Sequence, residues 1–501
     1  MKKLLSRRLI LVLSLLVAIF FSFIIFELKI LPLKYYIPLI IFIFTILILL
    51  YRGEKDKNNE HVIKVTVLKV IHVFISIILV ITSLYAIKGS SFLNSITGGG
   101  DQTIEMDVVV LKSSPYQSLN DLTELSFGAN TTIDAININK TETLIEEEIG
   151  NIEIQSFTTH DETINALKNG TIKAMVIKSV DYETLDDVEK DFKENTRILK
   201  TFEIKIPSVK ANSAKVTQEP FLIFISGTDK RGPISTFALS DVNMIAAINP
   251  KTKQVLLTSI PRDYYVDIIG MDGVSGKDKL THSAKGGINC TIDTVESLMG
   301  IKFNYYAKFN FTSFLNVVDA LGGITIDVPK YDVIGRDDGV FTTKLDKYTI
   351  EPGVNNFDSK HALSFVRERK AFVQGDAIRG KNQMIMIKAI IKKCCSAAII
   401  TKLDSVIQSL ENCFETNMEA SDIKSLINMQ IDDMSAWDVQ SFRLEGDDTK
   451  RAFHLATIGD VRKVNPRGLI INEPYIESLE KAKQYIQIIM EGKEILKVKE
   501  E

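Results

Sequence analysis

Basic and acidic side chains suited to holding a pyrophosphate recur along one stretch of this chain. Asp229 and Arg231 fall in FLIFISGTDKR, Asp241 in LSDVNM and Arg262 in SIPRDYYV. Arg367 and Arg369 follow in FVRERK, then Asp376, Arg379 and Gln383 in GDAIRGKNQ. A guanidinium fork matches phosphate oxygens two at a time, and each charge-assisted bond contributes roughly 1.5–3 kcal/mol. A single arginine is ordinarily a surface charge, whereas several at element ends in one domain make a candidate anion site. Arg367 and Arg369 are two residues apart, so an extended segment would point both the same way and turn Glu368 opposite. Arg379 and Gln383 are four apart and share one helix face. Asp229 and Asp241 flank buried strands, where loops carry chemistry in α/β sheets. Two carboxylates brought together repel unless a cation or a shared proton intervenes. An oxygen-only pair suits Mg²⁺ or Mn²⁺, bridged to phosphate and keeping some of its waters. The alternative for both is structural: Asp229 closing a turn in GTDKRG, Asp241 capping one after Ser240.

The elements that must position these residues lie beyond three apolar runs, 9–26, 35–51 and 70–87, none of which holds Lys, Arg, Asp or Glu. Each is roughly 17–18 residues, enough to cross a hydrocarbon core of ~30 Å as a helix. The first run lacks a small-residue cleavage site and is expected to stay uncleaved. Lys2, Lys3, Arg7 and Arg8 precede it, and Arg52, Lys55, Lys57 and Lys64 follow the second. The turn between the first two has only Lys29 and Lys34, offset by Glu27. Positive charge therefore places the tail and the second loop in the cytoplasm and all that follows Ile87 outside. The expectation is a multi-pass cell-membrane protein with extracytoplasmic C-terminal domains. His72 reads as an interfacial or interhelical polar group. Lys+Arg 60 against Asp+Glu 63 gives a net charge of −3, so no basic field points to nucleic acid. The inner segments are also too short for a helix-turn-helix. Cys290, Cys394, Cys395 and Cys413 make no metal spacing. A bridge from Cys394 or Cys395 to Cys413 stands beside free thiols as a reading.

Five regions follow: a membrane domain at 1–88, a linker at 89–104 with a glycine-rich tether, an accessory α/β domain at 105–210, a catalytic domain at 219–395, and an extension at 396–501 that completes it. FLIFIS, VNMIAAINP, KQVLLTSIP and ITIDVP read as strands; DTVESLMG, FTSFLNVVDALGG, KHALSFV and AIRGKNQMIMIKAIIKK read as helices. Interleaving of this kind builds an α/β/α sandwich. In the accessory domain NALKNGTIKAMVI resembles a segment of periplasmic solute-binding proteins. Solute sensing and simple docking are both open for that domain.

In order, FISGTDKR, SDVNMIAAINPKTKQVLLTSIPRDYYV, KLTHSAKGG, FNYYAKFNFTSFLNVVDALGGITIDVP and ALSFVRERKAFVQGDAIRGKNQ resemble the LytR-CpsA-Psr domain. The resemblance spans about 221–392, and the three spans with an added outer domain resemble its capsule-type branch. That family moves a phosphorylated glycopolymer from a polyprenyl pyrophosphate carrier to a peptidoglycan sugar hydroxyl. The resemblance implies metal coordination by Asp229 and Asp241. It implies phosphate contacts from Arg231, Arg262, Arg367, Arg369, Arg379 and Gln383. Arg262, Arg367 and Arg369 would act on the reacting phosphates, with Asp376 as base or orienter. The implied partners are a polyprenyl pyrophosphate-linked polysaccharide, peptidoglycan, the membrane, and a capsule synthesis or kinase complex. One departure concerns Lys279-Leu280-Thr281-His282-Ser283, where wall-teichoic-acid members tend to read Lys-Leu-Asn-His-Ala. His282 is accordingly read as structural, with a proton shuttle as the alternative. A lipid tail would need an apolar slot, lined from FTSFLNVVDAL and MIMIKAII unless these are plain core. The competing functions are a membrane regulator of polysaccharide synthesis (solute-sensing or transcriptional) and a lipid pyrophosphate hydrolase.

Overall fold

The computed structural model describes residues 6–29, 31–55, 62–97, 99, 101–207, 209–228, 234–394, 396, 402–409 and 414–498, without the side chains of 62, 92, 95, 311–314, 376, 403, 404 and 407. Asp229, Arg231, Cys395 and Cys413 lie outside the described residues, as does the Asp376 side chain.

Two compact units form. The first is built on α1 (Arg7–Glu27), α2 (Leu33–Gly53) and α3 (Val62–Ile96), all long and apolar enough to cross a membrane. Ser6 caps α1 by accepting from the Leu9 amide. The Arg7 Nε donates to the Tyr51 carbonyl at 2.8 Å, joining the start of α1 to the end of α2. His72 is interhelical: its Nδ1 lies 3.0 Å from Glu54 Oε1, and both side chains are buried. The helix Ala420–Asp433 belongs to this unit. Asp432 pairs with Lys34 at 2.8 Å, Asn428 donates to the Lys29 carbonyl, and Lys424 donates to Ser90 Oγ. The extension therefore does not serve the catalytic domain throughout. Polar groups of this helix match those at one end of the bundle, which apolar periodicity alone did not reveal. The tether is also shorter than expected, because α3 runs to Ile96 and the next strand starts at Gln102.

The second unit holds both the accessory domain and the six-stranded domain. The accessory sheet contains β1 (Gln102–Leu111), β2 (Phe127–Asn130), β3 (Ile154–Phe157), β4 (Ala174–Lys178) and β5 (Thr196–Ile206), in the order β3-β2-β4-β1-β5. β2 runs parallel to β3 and β4, while β1 is antiparallel to β4 and β5. Helices α4 (Ala135–Ile149) and α5 (His160–Lys168) fill the crossovers. A capping box between Thr159 and Glu162 starts α5, and Gly170 with φ +78° follows its end.

The catalytic sheet has six strands: β6 (Phe221–Thr228), β7 (Val242–Asn249), β8 (Gln254–Ile260), β9 (Tyr305–Asn310), β12 (Phe414–Thr416) and β13 (Asp438–Arg443), in the order β12-β9-β6-β7-β8-β13. One face is covered by α6 (Gly287–Met299) and α10 (Ile476–Met490). Leu222, Phe224, Ile245, Leu256 and Ile260 pack there against Ile288, Val295, Ala482 and Ile486. The other face carries α9 (Gly375–Cys394), set on Ala246, Val255, Leu257 and Val439 through Ile387 and Ile391. This is the α/β/α sandwich that the alternation of elements requires. Two details differ from the sequence reading. β9 is a central strand hidden by its lysine, since Lys308 is buried with its ammonium 3.4 Å from the Thr236 carbonyl. Among the described residues the ITIDV strand, β10 (Ile324–Val328), which follows α7 (Phe311–Ala320), pairs only with β11 (Gly353–Phe357) and stays outside the six-stranded sheet.

Candidate functional site

The site gathers where β7 begins and β8 ends, which antiparallel pairing puts side by side, Asn243 opposite Ile260. Asp241 is held just before β7 by its amide, which donates to the Gly227 carbonyl at 2.8 Å. Arg262 lies two residues beyond β8, and its Nη1 reaches Asp241 Oδ1 at 2.5 Å. Asp241 is thus a guanidinium partner and not simply a turn cap. The neighbouring Ser240 does the local bracing, with its hydroxyl 2.8 Å from Ser226 Oγ and 2.9 Å from Asn243 Oδ1.

Asp263 and Lys279 complete this charge cluster. Asp263 lies 3.5 Å from Arg262 Nε and 3.2 Å from Lys279 Nζ. Burial alone would raise its carboxyl, but Lys279, Arg262 and Arg379 outweigh that and hold it below the ordinary value. Arg379 therefore acts on the same place as Arg262, although 117 positions separate them in sequence (379 − 262). Neither Asp263 nor Lys279 was singled out from the sequence. The available signal was Asp263's position directly after Arg262 in IPRDYY.

Arg367 and Arg369 are not on an extended strand. Arg367 is the last residue of α8 (Ser359–Arg367), and Glu368 breaks the helix with φ −69° and ψ 129°. The Glu368 carboxylate turns inward, 4% exposed, and accepts from the amides of Lys344 at 2.6 Å, Arg369 at 3.0 Å, Lys370 at 2.8 Å and Ala371 at 3.1 Å. The alternation expected of a strand, arginines out and glutamate opposite, is produced instead by a helix end folded around one buried acid. Asn382 then ties α9 to α8 by donating to the Phe365 carbonyl at 3.1 Å, and Tyr331 OH donates to Asn382 Oδ1 at 2.7 Å. Arg379 and Gln383, both half-buried, lie one turn apart on α9.

His282 has a structural setting. Its Nδ1 is 2.7 Å from Asp278 Oδ1, and the other oxygen of Asp278 accepts from the amide and hydroxyl of Thr457. Burial opposes the charge on Asp278, yet His282, Lys285 and the Thr457 amide bring its pKa down to about 2. The loop they hold lies against Arg262, whose carbonyl accepts from the Thr281 amide at 2.8 Å.

Beside the charge cluster part of the apolar layer is only half-buried. On β6, Leu222 and Phe224 are buried beneath α6 and α10, whereas Ile223 and Ile225 on the α9 face are only half-buried. Ile248, Phe309, Ile387 and Ile391 around them are half-buried as well. A central strand with helices on both sides ordinarily hides both faces, and these are the apolar side chains that it leaves partly exposed among the described residues. Met384 and Met386, in MIMIKAII, are buried core. A cavity of about 420 Å³ with mixed polar and apolar walls opens beside α9, lined in part by Lys330, Lys381, Arg443 and Lys481.

Among the described residues no three His, Cys, Asp or Glu side chains converge as a metal site. Asp241 supplies one carboxylate, already engaged by Arg262. That donor set fits a hard cation only if phosphate oxygens provide most of the coordination.

A family model, the LytR_cpsA_psr family, matches residues 175–460, more than half of the chain. The chain belongs to the LytR-CpsA-Psr family. The match begins inside the accessory domain, earlier than the motif blocks suggest. Similar relatives include the polyisoprenyl-teichoic acid–peptidoglycan teichoic acid transferase TagU of Bacillus licheniformis, 35% identical over 46% of this chain and 70% of the relative. The corresponding TagT of Bacillus subtilis is 33% identical over 46% of this chain and 68% of the relative. Similar solved structures include TagT bound to LIIa-WTA, at 28% identity and TM-score 0.43, covering 56% of this chain and 94% of that one. Another is YwtF (TagT) with bound octaprenyl pyrophosphate lipid, at 26% identity and TM-score 0.38, covering 56% and 93%. The LytR-CpsA-Psr match includes Asp241, Arg262, Arg367, Arg369, Arg379 and Gln383, and stops short of α10.

Proposed function

We propose that this chain is an extracytoplasmic glycopolymer transferase that moves a polymer from a polyprenyl pyrophosphate carrier to a peptidoglycan sugar hydroxyl. The observation that carries the reading is a charge cluster, Arg262 paired with Asp241 and Asp263 and Arg379 lowering the pKa of the same Asp263 carboxyl, next to half-buried apolar side chains on the α9 face. A pyrophosphate with a long hydrocarbon tail needs both in one domain. The transferase names of the relatives support the same reaction class. The three-span architecture and the Lys279–Ser283 sequence support a capsular or related polymer as the donor.

In this reaction the acceptor hydroxyl oxygen attacks the phosphorus on the polymer side. The bond from that phosphorus to the bridging oxygen breaks, and the hydroxyl proton is lost. Negative charge grows on the departing polyprenyl phosphate. Arg262, Arg367, Arg369 and Arg379, with Gln383 and Arg231, would neutralise it more strongly than they neutralise the ground state. Asp376 would orient the acceptor or take its proton. Mg²⁺ or Mn²⁺ held by Asp229 and Asp241 with phosphate oxygens would, when bound, offset further charge on the pyrophosphate. Water in place of the sugar hydroxyl would give hydrolysis.

The test uses the full-length chain in detergent with a polyprenyl pyrophosphate-linked saccharide and a peptidoglycan fragment. Release of polyprenyl phosphate together with labelled glycan joined through phosphate to the peptidoglycan fragment is expected, and chelation by EDTA should slow it at least about tenfold. Unaltered carrier after prolonged incubation, with metal present, would rule the reaction out. The apolar layer gives a separate prediction. Ile225→Asp is expected to raise KM for a long-chain carrier about tenfold or more while leaving KM for a short-chain analogue unchanged, since tail burial contributes ≈ 0.8 kcal/mol per CH₂. Equal effects on both chain lengths would place the tail elsewhere.

A further inference from the structure

The parallel strands of the accessory domain end together, β2 at Asn130, β3 at Phe157 and β4 at Lys178. Open α/β sheets take ligands just beyond such carboxyl ends. Polar groups fit for a ligand are present, since Asn130, Asp134, His160, Lys178 and Asp181 line the space that is left. That space is only about 10 Å³, room for no more than about one water. His160 is buried with neither ring nitrogen hydrogen-bonded.

What closes the site comes from the catalytic domain. Lys285, in the KLTHSAKGG segment, is fully buried. Its Nζ donates to Thr184 Oγ1 at 2.8 Å and lies 3.2 Å from Asp181 Oδ1. The Lys285 carbonyl accepts from Lys178 Nζ at 3.2 Å, and Lys178 pairs with Asp134 at 3.0 Å. A second close approach lies nearby: Gly273 has φ +71°, and a Cβ there would fall 1.7 Å from the Thr132 carbonyl oxygen.

We infer that Lys285 is a tethered ligand of the accessory domain's strand-end site, and that this anchor positions the 277–287 segment behind Arg262. The link is short. Thr281 donates its amide to the Arg262 carbonyl at 2.8 Å, Leu280 donates to the Tyr264 carbonyl at 2.8 Å, and Lys279 pairs with Asp263 at 3.2 Å. One charged contact and two backbone hydrogen bonds beside the catalytic cluster are therefore set by a segment whose far end is fixed in another domain. Lys285 is a positioning residue, and the accessory domain acts on the reaction through it. The catalytic consequence rests on the transferase reading; the tether itself does not.

The experiment compares the full-length chain with Lys285→Met, Lys285→Arg, Asp181→Asn and Thr184→Val. Hydrogen exchange of peptides covering 277–287 is expected to quicken about tenfold in Lys285→Met, with β6–β8 unchanged. Turnover of the polyprenyl pyrophosphate carrier should fall about tenfold in kcat with KM nearly constant, and Lys285→Arg should recover part of it. Combining Lys285→Met with Asp181→Asn should cost clearly less than the sum of the two, because they share the Lys285–Asp181 pair, while Lys285–Thr184 and Lys178–Asp181 are each lost in one variant only. Should Lys285→Met unfold the sheet, Thr184→Val keeps every charge and is read instead, with a smaller rise confined to 277–287. A folded variant with unchanged protection of 277–287 overturns the tether. Lost protection in a variant whose parent never turns over the carrier overturns the transferase reading and leaves the tether standing.

Discussion

Arg262→Ala is expected to lower turnover of the pyrophosphate carrier by about 10²–10³, the usual effect of removing one preorganised donor to a developing anion. The expectation follows from where the guanidinium lies. It bonds Asp241 at 2.5 Å and lies 3.5 Å from Asp263, so it is held in place before any substrate arrives. Its side chain remains 26% exposed, so part of the fork can still face a phosphate. Arg262→Lys keeps the charge but loses the planar pair of donors, and should recover only part of the rate. Fold stability is expected to fall by about 1–3 kcal/mol, because Asp263 retains Lys279 but the largely buried Asp241 loses its guanidinium partner. Steady-state kinetics with a thermal melt of each variant checks both halves. Near-normal turnover in Arg262→Ala would remove this residue from the machinery.

The second large effect concerns an acid that touches no substrate. Glu368→Ala should lower turnover about 100-fold, because one carboxylate organises the turn that presents Arg367 and Arg369. Four backbone amides donate to it: Lys344 from one side, and Arg369, Lys370 and Ala371 from the other. Each buried donor left without a partner costs about 1–3 kcal/mol. Some of these amides would find water, so a local destabilisation of about 3 kcal/mol is a fair expectation. Glu368→Gln retains an acceptor for the 369–371 amides but sets an NH₂ group towards Lys344, and should be milder. Exchange rates of the 368–375 amides, read beside kcat, distinguish the two substitutions. If Glu368→Ala keeps full activity while those amides lose protection, the arginines do not need the turn, and their assignment to the site fails.

Much of this architecture was legible because it is written in periodicity. Charge-free runs of adequate length gave the three spans, and the alternation of buried strands with amphipathic helices gave the sandwich. Failures came where a polar residue interrupts an apolar pattern for a tertiary reason. Lys308 sits within a central strand because the Thr236 carbonyl takes its ammonium. The Arg367–Arg369 pair looked extended because alternation by two is also what a helix end around a buried glutamate produces. The helix Ala420–Asp433 went to the wrong domain because its partners, Lys29, Lys34 and Ser90, are polar groups far away in sequence.

The sequence by itself determined the chemistry available, since residue types and the order of motif blocks do not depend on how the chain folds. It determined the family for the same reason, and the membrane anchor because transfer of apolar length into lipid is a local property. Only the tertiary structure decided which charges meet. Arg262 finds Asp241 through antiparallel pairing, the charge of Arg379 bears on Asp263 although it comes from a distant helix, and Lys285 is buried against a neighbouring domain. Electrostatic energy depends on separation in space, and separation in space between distant segments is what the packed core sets.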